Sequence, residues 1–311
     1  MTDRKLDLSH HGDDDDSGRS HPNDTMRLLL ERSSCRSFSD RKIPPEVLNL
    51  VLEAGIHAPT GGNLQPYSII QVEDPATKKR LDELNEDQLF IAAAPVNLIF
   101  CIDWHRLKRW AELQCAPFTA DRSFRHFWIS FQDTIIAAQN ICTAADALGL
   151  GSVYVGTVLE CFREVRQLLA LPDGVFPVVL LSLGYPKKRP KPKRKLGVDT
   201  IVHKEKYRDP DDQSLLARFE EKYPGGNREI TPERLQTIEH VCREVGGQDF
   251  ARKCLARIHK DGHINTVQHY FGLHYRADIM PKMNEGYLQI MKESGFRWFE
   301  TFVPHKTEGD K

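Results

Sequence analysis

The 311-residue sequence predicts a two-part chain, a domain of helices and strands followed by a mostly helical extension. Three observations carry that expectation. Four apolar runs of strand character, at 68–72, 96–102, 152–155 and 175–183, lie between helical patterns. One helical pattern, 124–148, is apolar almost all round (Phe127, Phe131, Ile135, Ile136, Ile141, Ala144, Leu148), as in a helix buried on every side at a subunit interface. Beyond about residue 210 the chain turns polar while keeping helical spacing.

Residues 1–24 hold the run Asp13 to Asp16 and no periodic apolar residue, so a solvated, disordered tail is expected there, with neither a signal peptide nor a metal site. Asp24 or Thr25 can cap a first helix through Met26 and Leu30. Pro44 and Pro45 suit the first turn of a second helix, whose face is Val47, Leu48, Val51, Leu52 and Ile56. Pro59, Gly61 and Gly62 must break it. Gly149 and Gly151 close the long helix, and a further helix is expected at 160–169. Residues 187–195 pack seven cations into nine positions, kept extended by Pro190 and Pro192. In the extension, Thr231 and Pro232 start a helix that Gly246 and Gly247 end. The expected divisions are a tail at 1–24, a domain at 25–209 and an extension at 210–311.

Composition narrows the function. Forty-three basic against 44 acidic residues give no bulk field for nucleic acid or an anionic membrane. The seven cysteines form no CxxC pair, which argues against a disulfide scaffold or thiolate zinc site. No apolar run is long enough to span a bilayer, and a cytoplasmic protein is expected. His259 and His263, with Asp261 between them, have the spacing of helical metal ligands, but Gly262 interrupts the helix, so they read as surface histidines.

Four segments could carry chemistry. Arg32 and Arg36, with hydroxyls at Ser33, Ser34 and Ser37, offer several donors to one small dianion; a solvated helix end would look similar. The turn Pro59-Thr60-Gly61-Gly62-Asn63-Leu64-Gln65-Pro66 lets backbone N–H groups approach a flat heteroaromatic edge, and its amides both donate and accept. Gly149 to Gly156 is not a dinucleotide fingerprint, because the spacing differs and it follows a helix; its backbone near Val155 and Gly156 can still face a ligand. The cationic run has few aromatics for stacking on bases.

Taken in order, Arg32-Ser33-Ser34-Cys35-Arg36-Ser37-Phe38, Ala58 to Tyr67, Ala137-Ala138-Gln139-Asn140 on the long helix, Gly149-Leu150-Gly151-Ser152 and Leu183-Gly184-Tyr185-Pro186 with its basic tail resemble the nitroreductase family of flavoproteins. The resemblance spans roughly residues 25–207. It implies an α+β fold, a mixed sheet flanked by helices, with FMN at a homodimer interface and NAD(P)H as co-substrate. It further implies that Arg32, Ser33, Ser34 and Arg36 bind the FMN phosphate and ribityl chain, closed by Lys193 and Lys195. Pro59, Thr60, Gly61, Asn63 and Gln65 would line the pyrimidine side, and backbone of Tyr154, Val155 and Gly156 would lie near N5. No side chain is expected as general acid or base, because hydride chemistry belongs to the cofactor. The implied reaction is ping-pong hydride transfer to a nitroaromatic, quinone or similar small acceptor. Reductive dehalogenation or flavin reduction on the same site, or a flavin-free scaffold, are the alternatives. Residues 85–90 have no evident role in this pattern, and the extension is expected to cover the substrate side.

Overall fold

The computed structural model describes residues 21–304, so the tail expected at 1–24 lies, for its first twenty residues, outside the described residues. Order is present from His21, whose Nε2 bonds Glu31 Oε1 (3.0 Å). Asn23, rather than Asp24 or Thr25, caps α1 (Asp24–Glu31) by accepting the Met26 N–H.

Four strands follow, β1 (Tyr67–Val72), β2 (Val96–Asp103), β3 (Gly151–Val155) and β4 (Val175–Gly184), in the order β1-β2-β4-β3. All their pairings are antiparallel, so the mixed sheet expected is antiparallel throughout among the described residues. Every residue of β2 is buried because both faces of the sheet are covered. Side chains alternate between faces. Leu98, Phe100, Leu181 and Leu183 meet α2 (Pro45–Ile56) and α6 (Phe124–Ala147). Ile99, Cys101, Leu180 and Val155 meet α3 (Pro75–Leu84) and α7 (Phe162–Leu168) on the other side. The short α4 (Phe90–Ala93) and α5 (Trp104–Leu113) flank β2.

The chain forms two compact units, one running to Pro192 and resuming at Gln289, the other Lys193–Leu288. The division therefore falls before the 210 boundary expected, and the end of the chain returns to the first unit. Packing explains the return. Phe296 is fully buried, stacked on Trp104 at 4.4 Å and tilted against Phe176 at 5.4 Å, with Met291 in the same cluster. Burying an aromatic this completely stabilises a fold by roughly 1.5–3 kcal/mol.

The second unit holds α8 (Val198–Ile201), α9 (Asp212–Lys222), α10 (Pro232–Asp261) and α11 (Thr266–His269); α12 (Asn284–Glu293) crosses its end. α10 starts at the Thr231 cap and Pro232, and Gly247 (φ 80, ψ 178) breaks it into two arms, as Gly246 and Gly247 led one to expect. Ile238 and Cys242 from one arm cluster with Ala251 and Ile258 from the other. Gly262 (φ 71) ends the second arm before His263, and Asp261 is held by Arg257 in an ion pair (2.5 Å), so the His259/Asp261/His263 set does not share one helix.

Candidate functional site

Three segments of the first unit carry the residues singled out by sequence, and all three attach to α6. The first is the arginine segment. After α1 the chain turns extended and runs beside residues 185–190: Ser39 N–H bonds Tyr185 O (2.8 Å), Lys187 N–H bonds Ser37 O (3.0 Å), and Phe38 bridges Pro186. The Ser33 hydroxyl donates to Pro190 O (2.5 Å), and Cys35 N–H donates to Ser152 O (2.9 Å).

Arg32 is turned inward. Its Nε lies 3.0 Å from Cys142 Sγ and 3.3 Å from Asp146 Oδ2, and Nη2 donates to Ser152 Oγ (3.2 Å). Asp146, near the end of α6, is 3% exposed and also takes Arg189 Nη1 (2.5 Å), whose Nη2 holds Leu150 O (2.7 Å). Burial pushes the Asp146 carboxyl above the ordinary range against the pull of both guanidiniums. Arg36 is exposed and Ser34 half-buried, and neither side chain has a hydrogen-bond or ion-pair partner among the described residues. With the exposed Ser37 hydroxyl, which likewise has no partner among the described residues, they are free donors of the segment.

The second segment is the turn after α2. Gly61 N–H donates to both oxygens of Asp133 on α6 (3.2 and 3.1 Å). A Cβ on Gly61 would stand 2.7 Å from Ile129 Cγ2, so glycine is what lets the turn approach the helix. Gly62, Asn63 and Gln65 all adopt left-handed backbone (φ 61, 56 and 48). For the two non-glycines that conformation costs about 1–3 kcal/mol each and persists only when surroundings impose it. The imposing contacts are visible. Thr60 Oγ1 accepts Gln65 N–H (3.2 Å), Gln65 Nε2 donates to Ile56 O (3.0 Å), and Arg106 Nη2 donates to the Gln65 (2.5 Å) and Tyr67 (2.8 Å) carbonyls. Pro59, Gly61 and Asn63 stay exposed. Burial raises the Asp133 pKa more than the Gly61 N–H lowers it.

The third segment is the end of β3. Tyr154 is half-buried, its hydroxyl 3.4 Å from Gln139 Oε1 on α6, and burial raises its pKa. Val155 is 2% exposed, so only its backbone is available to a ligand. At Gly156 a Cβ would meet nothing within 4 Å. Beside this peptide lies the 85–90 stretch that sequence reasoning left without a role: Gln88 Nε2 donates to Thr157 Oγ1 (3.0 Å), and Gln88 Oε1 has no hydrogen bond among the described residues. The only sequence signal there was a pair of amides, Asn85 and Gln88, before a buried strand.

The attachment points run in order along α6: the turn at Asp133, Tyr154 at Gln139, the arginine segment at Cys142 and Asp146. At 1.5 Å rise per residue, that rail is about 20 Å long. It suits an elongated ligand with a flat polar ring at one end and an anion at the other. Lys193 and Lys195 are exposed and belong to the second unit.

α6 differs from the expectation in one respect. Its inward face carries Ser130, Asp133, Thr134 and Asp146, while Phe124 (52% exposed), Trp128 (51%), Phe131 (39%) and Ile136 (40%) face outward in the single chain. No helix among the described residues is long and apolar enough to cross a membrane.

The chain is similar to several known proteins. The chain is 33% identical over 198 residues to the oxygen-insensitive NADPH nitroreductase of Salmonella typhimurium, covering 64% of this chain and 80% of that one. It is 34% identical over 191 residues to the FMN reductase [NAD(P)H] of Bacillus subtilis, covering 61% and 77%. Among solved structures, B. megaterium NfrA2 matches with TM-score 0.65 at 26% identity over 89% of this chain and 99% of its own. The NADPH:FMN oxidoreductase of Vibrio harveyi, complexed with NAD+, matches with TM-score 0.60 at 28% identity over 64% and 84%. The NfrA2 match covers more than the first 185 residues could supply, so the C-terminal region also has counterparts there. The family model described as the nitroreductase family matches residues 29–185, which hold all three segments and the helix that carries them, and the chain belongs to that family.

Proposed function

We propose that this chain is an NAD(P)H-dependent FMN oxidoreductase that passes hydride to a nitroaromatic, quinone or similar small acceptor. The observation that carries the reading is the order of the three segments along α6, with a polar turn at one end and the unpartnered Ser34 and Arg36 beyond the other. The residues fit FMN. A free guanidinium and hydroxyl suit a phosphate dianion, and the exposed turn, with the side-chain amide of Asn63, suits the pyrimidine edge. The names of the relatives, an NADPH nitroreductase and an FMN reductase, support the same cofactor and donor.

In this reading Arg36 and Ser34 bind the phosphate, and Arg32, locked against Asp146, Cys142 and Ser152, shapes the segment that presents them. Pro59, Thr60, Gly61, Asn63 and Gln65 orient the ring. The backbone of Tyr154, Val155 and Gly156 faces the reacting edge. Bound FMN supplies the hydride carrier, so no side chain is assigned proton transfer. Open space above Gly156 serves donor and acceptor in turn, which gives ping-pong kinetics. The outward apolar stripe of α6 is covered by a second copy of the chain, and seven free thiols accord with a reducing cytoplasm.

The test is the visible spectrum of the purified protein under anaerobic conditions. Flavin absorbance should bleach on adding NADPH or NADH and return on adding a quinone or nitroaromatic. A colourless protein that refuses added FMN would leave the scaffold reading in its place.

A further inference from the structure

The loop at 85–88 is built with more care than a link between a helix and a strand needs. Asn85 is fully buried, and Glu86 and Asp87 both adopt left-handed backbone (φ 62 and 52). Two consecutive non-glycines in that region are a local strain that the surroundings must impose. What imposes it is a closed polar network centred on one hydroxyl. Thr157 Oγ1 donates to Asn85 Oδ1 (2.8 Å) and accepts from Gln88 Nε2 (3.0 Å), which also donates to Asn85 O (3.0 Å). Asn85 Nδ2 donates in turn to Leu81 O (2.8 Å), anchoring the network to α3. Thr157 follows Gly156 directly, and the space above Gly156 is open. A strained loop and a network of three hydrogen-bonded side chains thus converge on the residue that follows Gly156, above which the space is open.

We propose that Thr157 is a positioning residue which, through Asn85 and Gln88, fixes the Gly156–Thr157 peptide against the reacting edge of the cofactor and thereby sets the reduction potential of bound FMN. The inference rests on the FMN reading. Hydrogen bonds to the ring nitrogens are among the levers by which a protein tunes a flavin. A peptide that drifts loses that lever even when the cofactor stays bound. The arginine segment is anchored to α6, whereas the Thr157 network is anchored to α3, so affinity and potential should separate.

The experiment compares wild type, Thr157→Val, Thr157→Ser and Gln88→Met for FMN dissociation constant and for midpoint potential of the bound flavin. Thr157→Val should keep FMN affinity within about threefold, shift the potential, and slow flavin reduction at saturating NAD(P)H by about tenfold, the equivalent of one hydrogen bond. Thr157→Ser, which keeps the hydroxyl, should restore both. Gln88→Met cuts the network from its exposed side and should shift the potential in the same direction, a check that stands even if the valine variant fails to fold. A wild-type potential in Thr157→Val or in Gln88→Met, or equal shifts in the valine and serine variants, would overturn the proposal. Failure of the FMN reading itself would show differently, as a wild-type protein that retains no flavin.

Discussion

The arginine segment and the turn after α2 hang on the same helix and are held by opposite means. Residues 32–39 are straight chain, paired to 185–190 by backbone, with side chains doing the anchoring: Arg32 to Asp146, Ser33 to Pro190. The turn at 60–65 is bent chain, with anchors that grip its backbone: Asp133 on the Gly61 N–H and Arg106 on two carbonyls. The difference matches what each must present. An anion needs a free cationic side chain on an unstrained strand. A flat ring edge needs a backbone that can come close to it, which the bend at Gly61 and Gly62 allows.

The largest effect should come from the free cation. Arg36→Glu should weaken FMN binding by about a hundredfold or more, since it replaces a charge-assisted contact by repulsion; isothermal titration would check this, and unchanged affinity would remove Arg36 from the site. Arg32→Met should act mainly on folding. With Arg32 only 21% exposed and Asp146 keeping Arg189, the loss should be about 1–3 kcal/mol in chemical denaturation. If Arg32→Met instead left stability intact and abolished only FMN binding, the contrast between an anchoring and a presenting arginine would fail.

A pH series sharpens the other side. Asp133 has a raised pKa in the fold, so the folded state holds its proton more tightly than the unfolded chain. The stability it contributes is present below the ordinary aspartate range, about pH 4, and is lost as pH rises through the folded value. Relative to wild type, Asp133→Asn should therefore gain stability between pH 4 and 7, read as a growing difference in Tm. The smallest effect belongs to Asn63→Gly, which relieves left-handed strain and should raise stability in chemical denaturation by less than about 1 kcal/mol, because the greater freedom of the unfolded glycine offsets part of the relief.

Much of this was legible in the sequence, for physical reasons. The four strands announce themselves because a doubly covered sheet demands unbroken apolar runs such as 96–102. Gly62 and Gly149 take left-handed turn positions, and Gly61 and Gly151 lie where a Cβ would collide with Ile129 and Cys35. What was hidden is long-range. Nothing in the local pattern says that Arg32 turns toward Asp146, 114 positions on, or that Gln88 meets Thr157 across 69. The return of Phe296 to Trp104 was equally hidden, because an aromatic in a polar extension carries no sign of where its partner lies. The polar side of α6 was hidden for a related reason: Asp133 and Asp146 are buried against the turn and the arginine segment, partners far off in sequence.

The most direct measurement of the central account is a titration of the apoprotein with FMN and, separately, with riboflavin, which lacks only the phosphate. The account predicts that FMN binds at least about tenfold more tightly, and that Arg36→Glu removes the difference. Equal affinity for the two flavins in the wild-type protein would contradict a phosphate-anchored cradle built on the arginine segment.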